Sequence, residues 1–262
     1  MRELERDHSD ATNPSEPALA GHLAILGAGR AGGSIAGAAR DAGLDVDLGA
    51  REVDLRGAGI LLICVPDSAI RATCERIVPA VEPDTLVGHV SGASPLDALE
   101  AAAAAGHETF SLHPLQTIPT NSTDLGGAPC AVSGSTPGAS RVATALASRL
   151  GMQPFEVPEE GRAAYHAAAS MASNLLIALE ESAADLMKAA GVPNAREVLA
   201  PLVLRSAANW ADAGAEALTG PIARGDEATV ALHLEALATT APELRPLYEA
   251  LAERTRSLGA EQ

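Results

Sequence analysis

The sequence predicts an α/β protein: a doubly wound, mostly parallel sheet in the N-terminal half, followed by an all-α C-terminal domain. Three observations predict it. Short apolar runs alternate with helical patterns from His22 to about Val157. A G-x-G-x-x-G loop, "GAGRAG", follows the first of these runs and opens the first helix. After Glu159 the strand signals stop, and each later segment carries apolar residues at helical spacing.

The elements follow in order. Residues 1–20 are charged, contain Pro and Ser, and lack the apolar centre of a secretory signal, so a disordered tail is expected. "HLAIL", "DVDLGA", "ILLICV", "TLVGHV", "ETFSLH", "PCAVSG" and "QPFEV" are short and mostly apolar, as strands covered on both faces are. "AGGSIAGAARDA" and "PGASRVATALASRL" are helical connectors between them. Only eight residues separate Arg51 from "ILLICV", too few for a full crossover helix. The second helix of the fold is therefore expected to be trimmed or missing, leaving the adenine end of any cofactor groove open. "GRAAYHAAASMASNLLIALEESAADLMKAAG" reads as one long helix ending at Gly191, with Pro193 as a stop. "NAREVLAPLVLRSAANWADAG", "DEATVALHLEALATT" and "PELRPLYEALAERTRSLG" complete the helical half. The domains are thus expected at residues 21–157 and 158–262.

Composition bounds the function. Of 262 residues, 47% are hydrophobic and only 2% aromatic, so Ala, Leu, Val and Ile must fill the core. The net charge of −16 opposes binding to nucleic acid or an anionic membrane, which need clustered Lys and Arg. A phosphorylated ligand needs only one or two local cations and backbone N–H groups. Three cysteines at unrelated spacings read as reduced, buried thiols in a cytoplasmic protein, and nothing reads as a metal site. No stretch approaches the ~20 apolar residues of a membrane span.

The glycine loop sits where a Rossmann dinucleotide site needs it. Gly27 permits the tight turn, Gly29 lets the backbone approach a pyrophosphate, and Gly32 lets the helix pack on the strand. Ala28, Arg30 and Ala31 complete the loop, and the helix N-terminus offers free N–H groups and a positive dipole end. The second strand ends at Gly49, Ala50 and Arg51. An Arg there suits the 2′-phosphate of NADP, so NADP is favoured over NAD. A register shift of one residue would instead present Glu52 to the ribose of NAD.

Ligands of open α/β sheets bind beyond the carboxyl ends of the strands. That selects Val65, Pro66 and Asp67 after the third strand, and Ser91 and Gly92 after the fourth, as lining for the pyrophosphate and the nicotinamide ribose. It also selects His113, with Gln116, after the fifth. His166, Ser170 and Asn174 are spaced i, i+4, i+8 and share a helix face, with Ser173 beside them. Such a polar stripe on an Ala/Leu helix either faces solvent or faces the nicotinamide. In "LTGPIARGD", Gly220–Pro221 reads as a turn and Asp226 as an N-cap. Arg224 is then either a surface cation paired with a Glu or the anchor of a carboxylate-bearing substrate.

"GAGRAG", "CVPDSAI", "HVSGA", "SLHPLQT", "YHAAASMASN" and "LTGPIARGD", in this order and spacing, resemble the bacterial family of Rossmann-like proteins with a DUF2520 helical domain. The resemblance covers residues 22 to 258, and "HPLQT" and "LTGPIARGD" are its most specific parts. The family is similar to the 6-phosphogluconate dehydrogenase-like reductases, which include ketopantoate reductase, pyrroline-5-carboxylate reductase and the β-hydroxyacid dehydrogenases. This implies a nicotinamide site in the first domain, a helical second domain and a homodimer formed through it. Ketopantoate reductases and β-hydroxyacid dehydrogenases carry a proton-donating Lys four residues before an Asn on the long helix; here Ser170 stands there, before Asn174. His166, one turn earlier, is the candidate donor instead. The expected function is NADP-dependent reduction of a small carbonyl or imine acid, such as a ketopantoate-like 2-oxo acid. The alternative is a dinucleotide-binding sensor that transfers no hydride.

Overall fold

Seven strands form one sheet in the computed structural model, which describes residues 21–260; the expected N-terminal tail lies outside these. They are β1 (His22–Leu26), β2 (Val46–Gly49), β3 (Ala58–Ile63), β4 (Leu86–His89), β5 (Thr109–Pro114), β6 (Pro129–Gly134) and β7 (Gln153–Glu156). Their order is β2-β1-β3-β4-β5-β6-β7. Every neighbouring pair is parallel except β5–β6, where Pro114 lies opposite Cys130. All seven expected strands are present. β3 starts at Ala58 rather than Ile60, and the chain from Ala50 to Gly57 holds no helix, as its length requires.

Strand periodicity explains the continuous apolar runs. Leu23, Ile25, Ile60 and Leu62 face one layer, where they meet Ile35, Ala36 and Ala39 of α1 (Arg30–Asp41) and Ala139, Ala143 and Leu146 of α4 (Pro137–Arg149). Ala24, Leu26, Leu61 and Ile63 face the other, against Ile70, Cys74 and Ile77 of α2 (Ile70–Ile77) and Ala102 of α3 (Glu100–Ala104). Each fully buried Leu, Ile or Phe contributes roughly 1.5–3 kcal/mol. Thr136 caps α4, its hydroxyl accepting from the Ala139 N–H at 3.1 Å, with Pro137 in the first helical position. Cys64, Cys74 and Cys130 are free and buried, and burial raises each thiol above its ordinary pKa, Cys130 to about 12.

One expectation needs correction. The run from Gly161 to Gly191 is not one α-helix but α5 (Arg162–Ser170), a π-helical turn (Met171–Leu175) and α6 (Leu176–Ala189). The α-helical spacing that set His166, Ser170 and Asn174 on one face is interrupted at Met171. The chain divides into two units between Ser170 and Met171. The first therefore includes α5 as well as the sheet, because Arg162 and Tyr165 are bonded to sheet residues. The second holds α6, α7 (Ala195–Ala213), α8 (Glu227–Thr240) and α9 (Arg245–Ala260). Asp226 caps α8 as expected, accepting from the Thr229 N–H at 3.1 Å and its hydroxyl at 2.7 Å. In this unit Leu175, Ile177, Leu202, Leu204, Trp210 and Leu232 are exposed, while the buried apolar residues are mostly Ala. Among the described residues no helix is long and apolar enough to cross a membrane.

Candidate active site

The three glycines of the loop sit in different surroundings. Gly27 has φ +116°, and a Cβ there would strike the carbonyl of Cys64, the residue after β3. A Cβ on Gly32 would strike the Gly27 carbonyl. Both glycines are sealed by their neighbours, whereas a Cβ on Gly29 would meet nothing within 4 Å. Gly29 is the N-cap of α1 and supplies no side-chain cap; the first turn holds no acid. The first turn of a helix carries N–H groups without intrahelical partners, and the positive end of the helix dipole lies behind them. This is a cradle that fits a dinucleotide pyrophosphate.

β2 ends beside it, with the Gly49 carbonyl accepting from the Gly27 N–H at 2.7 Å. A Cβ on Gly49 would strike the Glu52 carbonyl, because the chain folds back over that position. No acidic side chain can project from it. Ala50, Arg51 and Glu52 follow, all exposed.

At the carboxyl ends of β3, β4 and β5, Asp67 meets Ser91, and Gly92 meets His113 and His166. Asp67 follows Val65 and Pro66 and accepts from the Ser91 hydroxyl at 2.7 Å. The Ser91 oxygen in turn accepts from the Ala93 and Ser94 N–H groups at 3.2 and 2.8 Å, closing the loop after β4. His113 lies at the end of β5, its Nδ1 2.7 Å from the Tyr165 hydroxyl of α5. The His166 ring stands edge-on to it, with 6.0 Å between centroids. Gly92 packs beneath both imidazoles: a Cβ there would lie 2.7 Å from His113 Cε1 and 2.8 Å from His166 Cδ2.

Burial, then His166 and Arg162, hold His113 down to about 4, so it is neutral at pH 7. Burial pushes Tyr165 up to about 12, so its hydroxyl keeps its proton. Their contact joins two neutral groups and fixes the orientation of the imidazole. His89, wholly buried on β4, accepts from the Ser91 N–H at 3.2 Å and is held to about 4 by burial and by Arg162.

Sequence reasoning missed the residue that ties this edge together. Arg162, 2% exposed, donates from Nε to Glu159 Oε1 at 2.8 Å. Its Nη1 reaches the Ser91 and Gly92 carbonyls at 3.3 and 3.4 Å, and its Nη2 donates to the Ser111 hydroxyl and, at 2.9 Å, to that of Ser133. Tyr165 was missed too, although it is one of two tyrosines in the chain and precedes His166 directly.

The other expected residues are placed differently. Gln116 donates from its amide to the Asp124 carbonyl at 2.9 Å, a bond within its own loop. That loop folds onto α1: the Ser34 hydroxyl donates to the Thr120 carbonyl at 3.2 Å, and a Cβ on Gly33 would lie 2.6 Å from the Asn121 oxygen. Ser170 ends α5 in the first unit, whereas Ser173 and Asn174 lie in the π-turn and Arg224 is exposed in the turn before α8, all in the second.

Residues 128–255 match the family model described as "Domain of unknown function (DUF2520)". Comparison with proteins of curated function finds no match. Among solved structures, the chain is similar to a Bacteroides fragilis protein described as a candidate NADP oxidoreductase, at 24% identity and TM-score 0.75, covering 91% of this chain and 99% of that one. A Thermotoga maritima protein gives 19% identity and TM-score 0.73, covering 91% and 98%. A Plasmodium falciparum pyrroline carboxylate reductase with NADP bound gives 15% identity and TM-score 0.58, also covering 91% and 98%. At such identities the likeness speaks for the fold. The chain therefore has a Rossmann-like fold, and its residues 128–255 match the DUF2520 model.

Proposed function

We propose that the protein is an NADP-dependent oxidoreductase that reduces a small carbonyl or imine acid, a ketopantoate-like 2-oxo acid being the first candidate. The observation that carries this reading is the open cradle at Gly29, flanked by the sealed glycines 27 and 32, on the same sheet edge as His113 and His166. Bound NADPH would supply a hydride to the carbonyl or imine carbon. The residues that would hold it are Gly27 to Gly32, Val65 to Asp67, and Ser91 and Gly92. Arg51 would meet the 2′-phosphate, and the closed position at Gly49 speaks against an NAD-type acid at that point. The NADP named for the Bacteroides and Plasmodium proteins agrees with this choice.

The chain's own work is to orient the substrate and deliver a proton. The reduced oxygen or nitrogen must be protonated, and a positioned general acid typically contributes 10²–10⁴-fold. His113 is neutral and fixed by Tyr165, so it suits a hydrogen bond to substrate rather than proton donation at pH 7. That leaves His166 as the donor, beside it on α5. Ser170, at the end of the same helix, is proposed to contact substrate.

The second unit's exposed apolar residues support a homodimer formed through the helices; the free thiols fit a cytoplasmic setting. The test is to titrate purified protein with NADPH and NADH, then follow nicotinamide absorbance with a panel of 2-oxo acids and cyclic imines. Tight NADPH binding with turnover supports the reductase. Binding without turnover on any of them supports the sensor, the reading that Ser170 in place of a Lys favours.

A further inference from the structure

We infer that Arg162, held by Glu159, is a positioning residue that sets the spacing between the Ser91–Leu96 loop and the imidazoles of His113 and His166. The inference rests on reading this sheet edge as the reductase site.

A guanidinium has five N–H groups in a fixed fork. Arg162 has five acceptors around it: Glu159 Oε1, the Ser91 and Gly92 carbonyls, and the Ser111 and Ser133 hydroxyls. A fork so occupied has no donor left for a substrate carboxylate, which removes the most obvious alternative role for a buried arginine. What remains is the set of elements it joins. Ser91 and Gly92 belong to the loop proposed to meet the nicotinamide ribose. Ser111 is on β5, two residues before His113, and Ser133 is on β6. Glu159 adds a second hold on the loop, accepting from the Leu96 N–H at 3.0 Å, and bonds the Ser133 hydroxyl at 2.8 Å. Arg162 itself opens α5, and Tyr165 and His166 follow three and four residues later on the same helix face. One side chain therefore registers the cofactor loop, the strand of His113 and the helix of His166 against each other. A lysine offers a single nitrogen and cannot span the same acceptors.

The experiment uses the full chain and two readouts that need no substrate. Nitrogen-15 NMR of the imidazoles reports the His113 tautomer, and fluorescence titration gives the NADPH Kd. Wild type is expected to show one His113 tautomer, held by Tyr165. Arg162→Lys is expected to give an averaged His113 signal and NADPH binding weakened at least fivefold, although the fold, followed by circular dichroism, persists. If the lysine variant does not fold, Ser133→Ala, which removes one acceptor, is expected to give the same NMR change with a two- to threefold weaker Kd. A folded variant that keeps a single tautomer and the wild-type Kd would overturn the inference and leave Arg162 as a stabilising clamp only. Should wild type bind no NADPH, the reductase reading fails by itself, and the NMR comparison still decides whether Arg162 positions the histidines.

Discussion

Replacing Gly92 with alanine asks whether the two imidazoles are held where the structure places them. The added Cβ would sit 2.7 Å from His113 Cε1, 2.8 Å from His166 Cδ2 and 2.9 Å from His113 Nδ1. Reaching ordinary contact at roughly 3.4 Å requires each ring to retreat by about 0.5–0.7 Å. Neither has an easy exit, since His113 is tied to Tyr165 at 2.7 Å and α5 is anchored by the buried Arg162. Overpacking of this kind costs about 1–3 kcal/mol, and a Tm loss of about 2–4 °C per kcal/mol is expected for a unit of this size. Misplacement of 1 Å can cost ~10²-fold in rate, so kcat should fall roughly ten- to a hundredfold. Thermal melts and steady-state kinetics on the substrate found by the panel measure both. Gly37→Ala is the control, because its Cβ meets nothing within 4 Å inside α1; it should be neutral or stabilising by ~0.5–1 kcal/mol. A Gly92→Ala protein with wild-type Tm and turnover would refute the placement of the rings over this glycine.

Further outcomes follow from the same geometry. Gly29→Val should leave the melting curve unchanged, because the side chain enters open space, yet lower NADPH affinity at least ~100-fold by filling the pyrophosphate position; an unchanged titration would remove the dinucleotide site. Arg51→Ala should weaken NADPH by ~1.5–3 kcal/mol, roughly ten- to a hundredfold, and NADH by far less; equal losses would show that Arg51 does not read the 2′-phosphate. His166→Ala should reduce kcat by about two to three orders of magnitude at nearly constant NADPH Kd, and near-native turnover would exclude it as the donor. Stability should fall with acid: His89 and His113 have folded pKa values near 4, below the ordinary 6.5, so the unfolded chain binds more protons between these values. Their contribution is complete above about pH 6.5 and lost towards pH 4. Denaturant melts at pH 7 and 5 test this, and His89→Asn should flatten the difference.

The sheet was legible because its signal is local. Each strand is a short, mostly apolar run, and the eight residues between Arg51 and "ILLICV" state directly that no crossover helix fits. The strand-to-helix turn was legible for the same reason, since the close packing at Gly27 and Gly32 follows from their fixed spacing. The π-turn was not, because nothing in "SMASNLL" differs from an ordinary helical stretch; a change from i+4 to i+5 bonding leaves no compositional mark. Arg162 was hidden by its own chemistry. An arginine at the start of an Ala-rich helix reads as a solvated charge, and apart from Glu159 its acceptors come from Ser91, Gly92, Ser111 and Ser133, far back in the preceding chain. His113 was found by its position after an apolar run, but its partnership with Tyr165 spans 52 residues and belongs to tertiary structure.

Trp210 gives the molecule an optical asymmetry. It is the sole indole in the chain and stands 69% exposed on α7, whereas the proposed dinucleotide cradle belongs to the other unit. Its emission colour reports on the helices, and the fluorescence of NADPH, bound as proposed, would report on the sheet, so a single cuvette could follow the two units through separate channels. A water-exposed indole emits at long wavelength. If dilution moves the native spectrum from blue towards red, Trp210 was covered by another chain at high concentration. If the spectrum is red at every concentration, the apolar face around it is bare, and the helices stand without a partner.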